Sequence, residues 1–143
     1  MDMISKQDSP WSAEERLARE RAILQYVVEN IPYQIFWKDH NSVFLGCNKN
    51  FAAMDGRSDP KEMIGKTDYD TAWGVNAEEY RRGDAAVMAL GEPILNKEEV
   101  LPDKSGYEKV ILTSKVPLRD EAGAVIGLLG IIVDITERKR IEI

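Results

Sequence analysis

Leu17, Leu24 and Ile31 recur every seven residues with Val27 and Val28 between them, while Glu14, Arg16, Arg19, Glu20 and Arg21 fill the intervening positions. That spacing lays an apolar stripe along one side of a helix. Ser12 stands three residues before Glu15, the separation at which hydroxyl and carboxylate cap each other's backbone donors. Pro32 stops the pattern, so a helix is predicted over residues 12–30. Its stripe either packs on the sheet of its own domain or forms a seam between two copies, and fewer than three heptads leave both readings open.

Beyond Pro32 the period shortens. Residues 34–38 and 42–47 are β-prone runs joined by Asp39, His40 and Asn41, a linker of hairpin length. Asn48, Asp55, Gly56, Asp59, Pro60, Gly65 and Gly74 then punctuate short stretches, 51–54 and 69–73, that suit helices of one or two turns. A longer helix over residues 77–90 stops at Gly91, where glycine tolerates positive φ. Residues 92–101 and 107–118 read as strands around Pro102, Asp103, Lys104, Ser105 and Gly106, and a turn at Gly123 leads to a third strand in the same meander. That third strand, 125–133, is almost unbrokenly apolar and is expected at the centre of a sheet, covered on both faces. Asp134, Ile135 and Thr136 lead into a charged exit helix. The order predicts an α+β fold: a five-stranded antiparallel sheet with short helices on one face and an amphipathic helix ahead of it.

At 143 residues one core is expected, and 43% hydrophobic with 31% charged residues is ordinary for a packed domain. The expected parts are an N-terminal flanking or dimerisation helix over 1–30, a sheet-bearing domain over 31–134 and, over 135–143, the start of an exit helix. The net charge of −6 argues against a nucleic-acid partner. Cys47 is the only cysteine, so neither an internal disulfide nor a multi-cysteine metal site can form. Residues 1–10 lack an apolar targeting core, and the longest apolar run is too short to span a bilayer, so a cytoplasmic location without direct membrane insertion is expected.

Catalytic chemistry is scarce. His40, the single histidine, falls in the expected hairpin turn, where an exposed turn residue competes with a base or ligand; Cys47 is either a buried structural thiol or a nucleophile. No nucleophile, base and orienting group assemble, and no metal or phosphate motif is present, so no enzymatic activity is expected. Phe36, Phe51, Tyr69, Trp73, Tyr80 and Met88 instead concentrate apolar bulk between sheet and helices, as a ligand cavity or as plain core.

Several local patterns, in order, resemble the Per-Arnt-Sim (PAS) sensory domains of bacterial signalling proteins. They are Ile35-Phe36-Trp37-Lys38-Asp39, Phe44-Leu45-Gly46-Cys47-Asn48, Gly65-Lys66-Thr67-Asp68 with Asp70 and Trp73, then Gly91, Gly106, Pro117-Leu118-Arg119-Asp120, Gly123, Gly127 and Gly130, and finally Asp134-Ile135-Thr136-Glu137-Arg138. The resemblance implies a sheet that cradles a small molecule or cofactor and an exit helix driving an output domain such as a histidine kinase or diguanylate cyclase. Alternation along the strands carries ligand-binding roles to Phe36, Ile111, Thr113, Lys115, Leu128 and Ile132, with Phe51, Trp73 and Met88 closing the cavity from the helical side. Leu129, Ile131 and Val133 would then point outward as a seat for the amino-terminal helix, which in this family often pairs with its copy in a homodimer. Asp134 and Thr136 match the family's relay hinge, and equally suit a plain helix cap.

The cofactor stays unknown. Cys47 lies on a strand rather than in the helix context of covalent flavin photosensors, residues 77–90 carry no histidine for haem, and a noncovalent flavin stays open. Lys38 or Lys115, if turned inward, would favour an anionic metabolite such as a carboxylate, because a buried ammonium needs a partner. The competing reading is a ligand-free dimerisation and relay module whose cavity is filled by its own side chains.

Overall fold

The computed structural model describes residues 9–102 and 108–141, with the side chains of Pro102 and Arg140 outside the description. Residues 1–8 and the expected turn at Asp103, Lys104, Ser105 and Gly106 lie outside the described residues. The chain divides into two compact units, Met1–Ile31 and Pro32–Ile143.

In the first unit, helix α1 (Ala13–Asn30) starts at the predicted capping box. The Glu15 amide donates to Ser12 Oγ at 3.1 Å, and the Ser12 amide reaches back to Glu15 Oε1 at 3.5 Å. Ile31 ends it, its amide donating to the Val27 carbonyl at 3.1 Å ahead of Pro32. No residue of α1 is buried, although Leu17, Ile23, Leu24, Tyr26 and Val27 are apolar.

The second unit is the antiparallel five-stranded sheet the sequence predicts. Strands β1 (Gln34–Asp39), β2 (Phe44–Cys47), β3 (Ile94–Pro102), β4 (Glu108–Arg119) and β5 (Val125–Asp134) lie in the order β2-β1-β5-β4-β3. The apolar run is therefore the central strand, flanked by β1 and β4. Its faces separate by the two-residue period: Leu128 and Ile132 are buried, whereas Leu129, Ile131 and Val133 are half-buried.

Short helical pieces connect β2 to the long helix: α2 (Lys49–Met54) and 3-10 turns at Pro60–Met63, Asp68–Asp70 and Gly74–Asn76. Asn48 secures the first of them, its Oδ1 accepting from the Ile35 amide at 3.1 Å and the Phe51 amide at 3.0 Å while its Nδ2 donates to the Tyr33 carbonyl at 2.8 Å. Helix α3 (Ala77–Leu90) ends at Gly91 with φ 67°, the predicted cap. Helix α4 (Thr136–Ile141) follows β5.

Two local expectations change. The second strand starts at Phe44 rather than at residue 42, because Ser42 takes a left-handed φ of 60° in the turn. Residues 69–73 do not form one helix, and Tyr69, expected among the cavity aromatics, is exposed. Among the described residues no helix is long and apolar enough to cross a membrane.

Candidate functional site

Phe36 and Lys38 are two residues apart on β1, so both turn to the helix-covered face of the sheet. Gly130 on β5 pairs with Phe36 across the ladder, and a Cβ there would collide with the Phe36 ring. The ring therefore lies flat over the central strand and stacks on Phe51 at 4.7 Å between centroids, with Trp73 a further 5.4 Å from Phe51. These rings form the apolar wall.

The opposite wall is a buried charge cluster. Lys38 Nζ lies 2.6 Å from Asp68 Oδ2 and 2.7 Å from Asp84 Oδ2. Lys115 Nζ lies 2.7 Å from the other oxygen of Asp84, a charge pair without the alignment of a hydrogen bond, and donates to the Tyr80 carbonyl at 3.3 Å. The Trp73 indole N–H donates to Asp68 Oδ1 at 3.0 Å, so the apolar wall is tied to the charged one. Lys38 is 1% exposed and Asp84 0%. At that depth an unmatched charge is not tolerated. Two ammonium groups meet two carboxylates, and the cluster is neutral. Burial pushes the Asp84 carboxyl up, but the charges of Lys38 and Lys115, with the hydrogen bond from Lys38, outweigh it and hold the group below its ordinary value of 3.8. Burial, and the charges of Glu99, Glu79 and Asp68, push the Tyr80 phenol above 10.0 despite an opposing hydrogen bond with Asn76.

Between the walls is a cavity of about 30 Å³. Of the residues given ligand-binding roles, Phe36, Phe51, Trp73, Ile111, Thr113, Lys115 and Ile132 line it. Leu128 and Met88 do not: Leu128 is fully buried in the core, and Met88 packs at its margin. Sequence reasoning did not assign the liners Asp68, Glu99, Met54 and Leu101, or Asp84 of the adjoining charge cluster. A signal for Asp84 was present, since Ala77, Tyr80, Asp84 and Val87 share one helical stripe and an aspartate inside such a stripe needs a cationic partner.

Both lysines turn inward, yet the aspartates already match them, which removes the basis for an anionic ligand. The volume is about a tenth of the roughly 300 Å³ at which small-molecule pockets begin. It holds a few water-sized groups, and an isoalloxazine does not fit. His40 is exposed, and Cys47 is buried with its Sγ 3.9 Å from the Pro60 carbonyl. Among the described residues no group of three or more His, Cys, Asp and Glu is placed to hold a metal ion.

The exit helix is tied to this site. The Ile135 amide donates to the Val110 carbonyl at 2.9 Å, and the Val110 amide donates to Thr136 Oγ1 at 3.0 Å. Asp134 Oδ1 accepts from the Thr136 hydroxyl at 2.6 Å and amide at 2.9 Å. Val110 is the direct neighbour of the cavity-lining Ile111.

Sheet order, short helical cover and hinge are those of a sensory domain of the PAS class. The profile of the PAS fold family matches residues 28–140, and the chain belongs to that family. It is 27% identical over 124 residues to the aerobic respiration control sensor protein ArcB of Escherichia coli K12, spanning 87% of this chain and 16% of ArcB. It is 30% identical over 128 residues to the methanogenesis regulatory histidine kinase FilI of Methanothrix harundinacea, spanning 90% of this chain and 14% of FilI. The chain thus spans about one-sixth of the length of these curated relatives. Among solved structures, a phage VqmA–DPO complex superposes with a TM-score of 0.72 at 27% identity, over 92% of this chain and 60% of that one. The PAS domain of Bordetella pertussis BvgS gives 0.71 at 22%, over 86% of this chain and 91% of that one, a likeness of fold alone.

Proposed function

We propose that this chain is a ligand-responsive sensory module, without catalysis of its own, that relays the state of its cavity through α4 to an output domain, a histidine kinase before a diguanylate cyclase. The supporting observation is the pair of hydrogen bonds between Val110 and the Ile135–Thr136 hinge, because Val110 adjoins a residue of the cavity wall. A packed sheet deforms little, so a shift of β4 at Ile111 passes to the start of the helix rather than dissipating. Relatives that are sensor proteins and a histidine kinase favour the same output class. Its setting is cytoplasmic, and the net charge of −6 argues against a nucleic-acid backbone as partner.

Hydrogen exchange on the 143-residue chain tests the relay. Trimming the wall by Ile111→Val is expected to lower protection of the Ile135 and Lys139 amides more than Val87→Ala, a larger truncation in α3. Thr136→Val should remove that selective response. Equal loss of protection in the two variants would refute the relay.

A second reading, the ligand-free dimerisation and relay module, is favoured by the small volume of the cavity. Homodimerisation through the five exposed apolar side chains of α1 belongs to both readings. Native mass of the purified chain separates them: a retained small molecule supports the sensor, and a bare chain mass supports the filled core.

A further inference from the structure

The central cavity does not end at the charge cluster. A second void of about 20 Å³ shares Tyr80, Glu99, Thr113 and Lys115 with it and continues between α3 and β3 to Ile94 and Lys97, which are partly exposed at the surface. The residues at the junction are unequally satisfied. Lys115 has Asp84 and the Tyr80 carbonyl, and Lys38 has both aspartates. Thr113, only 4% exposed, leaves its hydroxyl without a hydrogen-bond partner. The Glu99 carboxylate is 12% exposed, and its one cationic neighbour among the described residues, Lys97, stands 3.9 Å away, beyond hydrogen-bond reach. Glu99 pairs with Ile111 and Lys97 with Thr113 in the β3–β4 ladder, so Glu99 and Thr113 are diagonal neighbours on one face.

A buried hydroxyl without a partner and a largely covered carboxylate held only by a long ion pair are costly, and a ligand that supplies N–H donors to both recovers that cost. With Glu79 and Glu99, four carboxylates of the charge cluster and the two voids face the three ammonium groups of Lys38, Lys97 and Lys115, so the residual charge there is negative. We infer that the site takes a small cation bearing N–H donors, of the amine or amidine kind, which enters between α3 and β3 and bonds Glu99 and Thr113. This rests on the ligand-responsive reading above and specifies its ligand class. It excludes carboxylates, because each inward lysine already has its counter-charge.

Three isosteric probes test it: acetamidinium, acetamide and acetate, four heavy atoms each and differing in charge. They are titrated into the 143-residue chain at constant ionic strength while the Trp73 indole N–H resonance is followed, since that group reports on the cavity through Asp68. Acetamidinium is expected to give a saturable shift, acetamide a weaker one, and acetate binding at least about tenfold weaker than acetamidinium. Glu99→Gln should bring acetamidinium and acetamide to similar affinity, and Thr113→Val should weaken both. Acetate binding as tightly as acetamidinium would overturn the ligand class while leaving a ligand-responsive cavity standing. No shift with any probe would overturn both and leave the filled core. A shift indifferent to both substitutions would place the cation elsewhere and also defeat the inference.

Discussion

Helices α1 and α3 start from similar patterns, an apolar stripe with charges on the remaining face, and end in opposite conditions. The 18 residues of α1 include none that is buried and leave Leu24 66% exposed. The shorter α3 buries Ala77, Asp84 and Val87, a charged residue among them. Amphipathicity measures the capacity to bury a face, not the presence of something to bury it against. What distinguishes α3 is that its one polar intrusion is complementary to two lysines delivered by β1 and β4. The charge that looks like a flaw in the stripe is the group that fixes where α3 docks.

The largest expected effect follows from removing that group. Asp84→Ala leaves two buried ammonium groups facing the single carboxylate of Asp68 and should lower unfolding stability by about 3–5 kcal/mol. The fourfold replacement Lys38→Met, Asp68→Asn, Asp84→Leu, Lys115→Met, which leaves no charge of the cluster unmatched, should recover most of the loss. Urea denaturation measures both, and a single variant as stable as the parent would show that the cluster does not hold α3.

Acid gives the same comparison without mutation. The folded Asp84 carboxyl titrates below its ordinary value of 3.8. The stability it contributes is thus fully present above about that value and is lost as pH falls through the lower, folded one. Circular dichroism and hydrogen exchange on the parent should show α3 protection collapsing in that acid range, and Asp84→Asn should flatten the dependence.

A smaller effect is expected at the end of α3. Gly91 has φ 67°, and a Cβ there would stand 2.8 Å from Arg119 Nη2, a flexible group that can shift. Gly91→Ala should therefore cost about 1–2 kcal/mol, mainly through the left-handed backbone. The end of α1, an extended Ile31 before Pro32, has no comparable position.

The smallest effect on folding is expected in α1 itself. Leu17→Glu with Leu24→Glu changes exposed positions and should alter unfolding stability by no more than about 0.5 kcal/mol. If α1 is the seam between copies, sedimentation should show the paired variant as a monomer where the parent is a dimer. A variant that loses folding instead would mean that the stripe belongs to the core of a single copy.

Much of the architecture was legible before any coordinates. Helix ends were visible because capping is local: Ser12 with Glu15, and Gly91, act within one turn of their own helices. The central position of β5 was visible because an unbroken apolar run cannot remain at an edge. Its alternation, with that of β1 and β4, placed Phe36, Ile111, Thr113, Lys115 and Ile132 on the cavity wall. Leu128 and Met88 show the limit of that reasoning: a period gives the face but not which part of the face meets a void.

By itself, then, the sequence determined the order of the elements, their ends and the inward face of each strand, all consequences of backbone geometry acting over a few residues. Only the tertiary structure decided which charges would meet. Lys38 and Asp68 are 30 positions apart and Lys38 and Asp84 are 46 apart. No local rule relates them, and they pair because sheet register and the docking of α3 bring them into one low-dielectric space where none can remain alone. That pairing turned two lysines that suggested an anion into a neutral wall and left the Thr113 hydroxyl without a partner beside Glu99, whose counter-ion Lys97 stands 3.9 Å away.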